Sequence, residues 1–527
     1  MSSDVLWREI QKHPELDVTQ VSSLGGAKTW KLGVPLEKLP EITGSLKEMG
    51  ARLLTLSAID ERELNRHFAL CSAFALPLEN TLVEIRVLLD GANPRYPSVT
   101  MDFPSAHWLE REVKDMFGIV PEGHPDLRRV AVHPDWPGDL FPLRKDFISG
   151  TKVPRVPGKM EFCPVEGEGL YQAPVGPVHA GIIEPGHFRF FTFGEDVINL
   201  QAQLFYTHRG IEKTAEGMHF LDAALVAERI CGVCSASHAA SYAQAIESLA
   251  DVAVPGRARF IRSILLEMER LYNHVGDIGN VCAGIGFSYA ISRGALLKEQ
   301  LMRMNLRLTG HRYLRGTILP GGVTGELKDL PVIMKELERL QMDLKELTTI
   351  MLSSQSLLDR MHTTGILTRE TAATLGAVGP AARASSIDCD LRRDLPYAAY
   401  NQLSFQIPLQ TGGDVLCRLK QRIDECEQSF SILKQSFKHL AREEGPLCVE
   451  VPYLPPYQTA VGYSESARGA NVHLVVSGPD NTLFRYMVRS ASHCNWPVVP
   501  LCVPGNIIPD FPLINKSFEL CYACLDR

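Results

Sequence analysis

A chain of 527 residues is long enough for roughly two to four domains, and 45% apolar with 22% charged residues is an ordinary globular balance. Lys and Arg total 54 against 61 Asp and Glu, a net charge of −7. There is no basic surplus of the kind that grips nucleic acid or an anionic membrane, and 41 glycines and 34 prolines without a period exclude a collagen-like fibre.

The start, Met1-Ser2-Ser3-Asp4, has no basic patch followed by an apolar run, so no secretory signal is expected. The most apolar stretch, Ile278 to Ser292, is interrupted by Gly279, Gly284 and Gly286 and falls short of the roughly 20 residues that a transmembrane helix needs. Membrane attachment is therefore expected only through a partner. The cysteines number 13, an odd count without an export signal. A reduced, cytosolic chain follows, in which closely spaced cysteines point to metal before disulfide.

Along the chain the pattern is α+β. Val83, Ile85, Val87 and Leu89 alternate with Glu84 and Arg86, as in a half-buried strand, and a loop follows at Gly91, Asn93 and Pro94. From His107 to Phe117, Leu109, Val113, Met116 and Phe117 share one helical face. Glu110, Arg111, Glu112, Lys114 and Asp115 fall mostly on the other, which reads as a surface helix packed on a small domain. Between Gly150 and Gly181 the prolines 154, 157, 164, 174 and 177, with Gly158, Gly167, Gly169 and Gly176, predict an extended linker without helix or sheet. Beyond it, Phe260, Ile261, Ile264, Leu265, Met268, Leu271 and Val275 form a helical stripe, as do Leu337, Leu340, Leu344, Leu347 and Met351. A third helix is expected to start with Asp414 as its cap and to run through Leu419, Ile423, Cys426, Phe430 and Leu433. Val472, Leu474 and Val476 alternate like a strand. The expected division is a small α+β domain over 1–147, a Pro/Gly-rich linker over 148–180, and a mainly helical domain with a small β component over 181–527.

Two Cys-x-x-Cys pairs carry the chemistry: Cys231 with Cys234, and Cys521 with Cys524 close to the end of the chain. Spacing of i and i+3 puts both sulfurs of a pair on one side of a turn, where they chelate one ion. Thiolates suit zinc, an iron–sulfur cluster, copper(I) or a thiolate-rich nickel site. The pairs of a zinc ribbon lie about 15 to 20 residues apart, far closer than these two. Spacing alone leaves a four-cysteine iron–sulfur cluster open, while thioredoxin-like chemistry lacks its βαβ context. Cys71, Cys163, Cys282, Cys389, Cys417, Cys426, Cys448, Cys494 and Cys502 form no further pair and read as buried small apolar residues.

These motifs resemble a known family. Arg229-Ile230-Cys231-Gly232-Val233-Cys234, with His238 four residues on, resembles the first metal signature of nickel–iron hydrogenase large subunits, and Cys521-Tyr522-Ala523-Cys524 the second. Glu110-Arg111-Glu112-Val113-Lys114-Asp115-Met116-Phe117-Gly118 resembles the signature of the 30-kDa subunit of complex I. His124-Pro125-Asp126-Leu127-Arg128-Arg129 and Pro142-Leu143-Arg144-Lys145-Asp146 continue that likeness. A complex I 30-kDa-like part fused before a hydrogenase-type (49-kDa-like) part is the layout of the membrane-bound, energy-converting hydrogenases of the formate hydrogenlyase type.

The resemblance implies a nickel–iron centre whose iron carries carbon monoxide and cyanide. Cys231 and Cys521 would be terminal nickel ligands, and Cys234 and Cys524 would bridge to iron. Gly181-Ile182-Ile183-Glu184-Pro185-Gly186-His187 resembles the motif whose glutamate shuttles protons, which makes Glu184 the relay. His208-Arg209-Gly210-Ile211-Glu212 makes Glu212 the runner-up. Ser466-Ala467-Arg468-Gly469 resembles the motif whose arginine overhangs the open metal position. His238 would hydrogen-bond a bridging cysteine. Two departures stand out: Glu519-Leu520 replaces the usual Asp-Pro before the third cysteine, and Ala467 replaces a proline. The resemblance further implies reduction of protons to hydrogen, without an iron–sulfur cluster in this chain. An additional magnesium or iron ion near the end of the chain stays open. The implied partners are an iron–sulfur small subunit, ferredoxin-like subunits, integral membrane subunits, formate dehydrogenase and an endopeptidase that trims the terminus near Arg527. The implied location is the cytoplasmic face of the inner membrane. The competing readings are a metal-free complex I-type quinone reductase subunit, which lacks the four cysteines, and a zinc-holding scaffold.

Overall fold

The structure, a computed structural model, describes residues 4–21, 27–179 and 183–527. Met1 to Ser3, Ala180 at the end of the expected linker, and Gly181 and Ile182 of the Glu184 motif lie outside the described residues.

The first part is built on a five-stranded sheet. Its strands are β1 (Asp17–Val21), β2 (Lys28–Gly33), β3 (Arg52–Glu61), β4 (His67–Leu76) and β5 (Thr81–Asp90), in the order β1-β2-β5-β4-β3. Only β2 and β5 run parallel. The predicted strand at Val83–Leu89 is β5, but it is not half-buried as expected. Residues 81–85 are buried on both faces, Glu84 included, because the later part of the chain covers the sheet. Lys31 donates to the carbonyl of Thr459, and burial pushes the Glu84 carboxyl up.

The predicted helix is α1 (His107–Phe117), which packs on β3. Its polar face is buried too, which corrects the surface-helix reading. Glu110 accepts from the Val99 amide at 2.9 Å and the Thr100 hydroxyl at 2.6 Å, and Asp115 accepts from the Val130 and Ala131 amides at 2.8 and 2.9 Å. Carboxylates here substitute for backbone partners of an irregular segment that buries its amides. The Pro/Gly-rich stretch is irregular over 151–170, but β6 (Tyr171–Val175) then pairs with β7 (His187–Phe193), which pairs with β8 (Asp196–Gln203). The expectation of no sheet there fails because Pro174 tolerates a sheet edge.

The later part is a helical layer on a small sheet. It contains α2 (Ser235–Ala250), α3 (Gly256–Val281), α4 (Ser288–Thr309), α5 (Leu330–Ser353) and α6 (Val415–Leu440). The three predicted stripes fall on α3, α5 and α6, and the Asp414 carboxylate caps α6 by accepting from the Cys417 amide at 2.8 Å. The sheet consists of β9 (Thr459–Ser466), β10 (Gly469–Ser477) and β11 (Leu483–Arg489), antiparallel with β10 central, so the predicted strand at 472–476 is confirmed. The chain closes with α7 (Phe511–Phe518) and α8 (Tyr522–Asp526). No helix among the described residues is long and apolar enough to cross a membrane.

Buried ion pairs tie α3 and α6 to the β9–β10 turn. Arg383 donates to Glu425 at 2.8 Å and Glu465 at 2.9 Å, and Arg392 to Asp390 at 2.7 Å and Glu267 at 3.1 Å. Arg270 reaches the carbonyls of Glu465 and Ser466 at 2.6 and 3.0 Å. Charges this deep persist only when paired and hydrogen-bonded, so the network fixes the turn on which Arg468 sits. Two glycines allow close approach. A Cβ at Gly462 of β9 would stand 1.9 Å from the Ser241 carbonyl of α2, and one at Gly379 would stand 2.2 Å from the Arg468 carbonyl.

Candidate metal centre

The two Cys-x-x-Cys pairs fold alike. Cys234 is the N-cap of α2, and its amide donates to the Cys231 sulfur at 3.3 Å. Cys521 is the N-cap of α8 and accepts from the Cys524 amide at 3.3 Å. Each first sulfur thus accepts from one amide of an opening helical turn. The pairs meet face to face: the sulfurs of Cys524 and Cys231 are 2.8 Å apart. The ligand atoms of Cys231, Cys234, His238 and Cys524 all lie within 4.8 Å of one another, and all four residues are buried. Cys521 adjoins the same cluster through Cys231 and Cys524. Hydrogen bonding within the cluster pulls Cys234 and Cys521 well below the usual thiol range and pushes Cys231 and Cys524 well above it. All 13 cysteines are free. Four soft donors converging in a buried site, with no disulfide, fit a thiolate-bound metal centre.

Around the sulfurs the predicted residues divide. Glu184 stands beside the second pair, where its carboxylate accepts from the Ala523 amide at 2.9 Å, and burial, then Cys521, pushes its carboxyl up. His238 places Nε2 3.5 Å from the Cys524 sulfur. Arg468, in the two-residue turn between β9 and β10, clamps Asp277 with two bonds of 2.6 and 3.0 Å and donates through Nε to the Glu519 carbonyl at 2.6 Å. Burial opposes its charge, but Asp277 and Glu519 outweigh that and hold the guanidinium ionised beside Cys234. The Glu519 side chain accepts from Asn280 at 2.6 Å, and burial with Asp277 pushes it up to about 7. Glu212 is turned away from the sulfurs. It pairs with Arg485 at 2.8 Å and Arg527 at 3.1 Å and accepts from the Val488 amide at 2.9 Å. Arg527 also holds Glu112 of α1, so this buried guanidinium joins the early motif to the helix bearing Cys521 and Cys524.

The sequence reading missed Asp277, on the last turns of α3, and Glu112 as an internal ion pair. The one available signal was an acidic residue inside an apolar helix, which does not name its partner. The expectation for the remaining cysteines holds for five of them, Cys71, Cys282, Cys389, Cys426 and Cys502. Cys163 and Cys448 are exposed, because they lie in irregular segments rather than in core elements.

Comparison with known proteins agrees with this geometry. Residues 32–153 match the 30 Kd subunit and residues 285–458 the 49 Kd subunit of respiratory-chain NADH dehydrogenase. Residues 209–277, which include Cys231, Cys234, His238 and Asp277, match the nickel-dependent hydrogenase family. Formate hydrogenlyase subunit 5 of Escherichia coli (strain K12) is 36% identical over 505 residues, covering 94% of this chain and 88% of that protein. The chain belongs to the nickel–iron hydrogenase large subunits of the formate hydrogenlyase type. Hydrogenase-4 component G of the same organism is 35% identical over 502 residues, covering 94% of this hydrogenase and 87% of its own length. Among solved structures, a chain of the membrane-bound sulfane sulfur reductase, an archaeal respiratory membrane complex, superposes with a TM-score of 0.63 at 27% identity. It covers 69% of this hydrogenase and 100% of that chain. The family supports a nickel–iron centre, and the buried Cys/His cluster is the donor set that fits it.

Proposed function

We propose that this chain is the catalytic large subunit of a hydrogenase that reduces protons to hydrogen, reversibly, with electrons from iron–sulfur partner subunits. The observation that carries the reading is the meeting of Cys231, Cys234, His238 and Cys524, from two remote segments, in one buried cluster that Cys521 adjoins, edged by a carboxyl and a fixed guanidinium. By the family likeness, Cys231 and Cys521 would hold nickel, and Cys234 and Cys524 would hold nickel and iron together. When bound, the nickel–iron centre, with carbon monoxide and cyanide on iron, supplies the two-electron chemistry of hydrogen. Glu184 holds and passes a proton at its carboxylate, beside the Ala523 amide, in surroundings that favour its protonated form. Arg468 holds a positive charge next to the cluster without reorganising, because Asp277 and the Glu519 carbonyl fix its plane. Glu519 supports that clamp. Glu212 is assigned to the frame, since its carboxylate is spent on two arginines. The division into 1–147, 148–180 and 181–527 is kept as the functional layout. The first unit docks among ferredoxin-like and integral membrane subunits on the cytoplasmic face of the inner membrane, with formate dehydrogenase as electron source.

Elemental analysis with infrared spectroscopy tests the assignment. Nickel and iron together, with absorption in the window of metal-bound carbon monoxide and cyanide, support it; zinc alone or no metal sinks it. Glu184→Gln keeps an acceptor for the Ala523 amide but removes the titrating oxygen. Hydrogen production is expected to fall by about 100-fold or more with nickel retained, and unchanged turnover would reject Glu184 as the relay. Arg468→Lys keeps the charge but cannot span both Asp277 oxygens. A fall in turnover of about 100-fold at unchanged metal content is expected. Turnover within two-fold of the unmodified enzyme would show that the planar clamp is not needed.

A further inference from the structure

Behind the metal centre runs a hydrogen-bonded chain that the proposed chemistry does not use. His238 meets the Cys524 sulfur through Nε2 at 3.5 Å, and its Nδ1 lies 2.9 Å from Nε2 of His473. The His473 Nδ1 lies 2.9 Å from the hydroxyl of Tyr486. All three side chains are fully buried. The fold builds this line deliberately. In the β10–β11 register His473 stands opposite Val488 and Val475 opposite Tyr486, so His473 and Tyr486 are diagonal neighbours on one face. On the other side His473 pairs with Gly462, the residue whose missing side chain lets α2 lie on the sheet and bring His238 within reach.

The direction of every bond follows from one end. As a metal ligand the Cys524 sulfur would be a thiolate, which can only accept, so His238 would carry its hydrogen on Nε2. Its Nδ1 then accepts, which requires Nε2–H on His473. The His473 Nδ1 accepts in turn, and its donor is the Tyr486 hydroxyl. Burial keeps His473 well below the ordinary imidazole range, and burial likewise pushes the Tyr486 phenol far up, so each holds a single hydrogen. Among the described residues the Tyr486 hydroxyl makes no further hydrogen bond.

We propose that His473 and Tyr486 are positioning residues of the metal centre, which lock His238 as the Nε2–H tautomer so that it donates to the Cys524 sulfur and draws electron density from that sulfur's bond to metal. This rests on the reading of Cys524 as a ligand. Chains of aligned donors polarise one another, so the end of the line is felt at its start.

Tyr486→Phe removes one oxygen and keeps the ring against Tyr242. In the nickel- and iron-loaded protein, turnover is expected to fall about ten-fold at unchanged metal content. The carbon monoxide band should move to lower wavenumber, because a sulfur relieved of its hydrogen bond gives more density to the iron. An unmoved band with unchanged turnover overturns the proposal. A second measurement needs no altered line: nitrogen-15 spectra of histidine-labelled protein, with His473 assigned by the signals lost in His473→Gln. Nε2–H on His473 supports the proposal and Nδ1–H overturns it. If the unmodified protein shows no diatomic bands, the proposed function fails, while the nitrogen spectra still decide the tautomer.

Discussion

Cys524→Ser is expected to leave the protein without nickel and with hydrogen turnover at background. The sulfur of Cys524 lies inside the cluster, 2.8 Å from the Cys231 sulfur and 3.5 Å from His238. A serine hydroxyl is smaller, harder and does not ionise at neutral pH, so it offers neither the charge nor the polarisability that a soft site needs. The helix itself should survive. The backbone amide of residue 524 still donates to the Cys521 sulfur, and Arg527 still anchors the last turn to Glu112 and Glu212. Elemental analysis together with a thermal unfolding scan separates the two effects. Stoichiometric nickel in the serine variant would remove this cluster as the metal site.

Arg383→Met is expected to cost about 3–5 kcal/mol of stability, the usual penalty for stripping one partner from a buried ion network. The side chain is fully buried and serves Glu425 at 2.8 Å and Glu465 at 2.9 Å. His274, at 2.8 Å, stays with Glu425, but among the described residues Glu465 has no second ion pair. The pH dependence has a definite sign. Burial alone would raise the Glu425 carboxyl, yet Arg383 and His274 hold it well below its ordinary value. That contribution is present above the unfolded carboxyl range near ~4.3 and is lost as the pH falls through the folded value. Without Arg383 the same carboxyl binds a proton more readily in the fold, so the gap between variant and parent narrows on acidification. Denaturant titrations at neutral and mildly acidic pH read both effects. A loss under about 1 kcal/mol would mean that the network relaxes around the change.

Much of this architecture could be read from residue order. The stripes on α3, α5 and α6, the Asp414 cap and the strand at 472–476 follow from local rules, because apolar spacing and capping act within a few residues. The two cysteine pairs were legible as chelators, yet their meeting came only through resemblance, since no spacing rule joins positions so far apart. What stayed hidden has one physical origin. Periodicity shows which face of an element meets apolar neighbours and says nothing when the opposite face meets charges. Thus α1 read as a surface helix although Glu110 and Asp115 serve buried amides, and β5 read as half-buried although the chain's later part covers Glu84. Asp277, His473 and Tyr486 escaped for a related reason. Each owes its role to a partner on another element, and none stands in a motif.

The Arg527 clamp makes the integrity of the catalytic tail a property of the whole chain. Glu112 comes from the first quarter of the polypeptide and Glu212 from its middle, while the cation they share sits three residues beyond Cys524. Withdraw either acid and a buried guanidinium is left with one carboxylate where it had two, and the short α8 loses part of its mooring. A lesion far from any sulfur, in a segment whose kinship is with respiratory enzymes, would therefore surface as a failure to retain the metals.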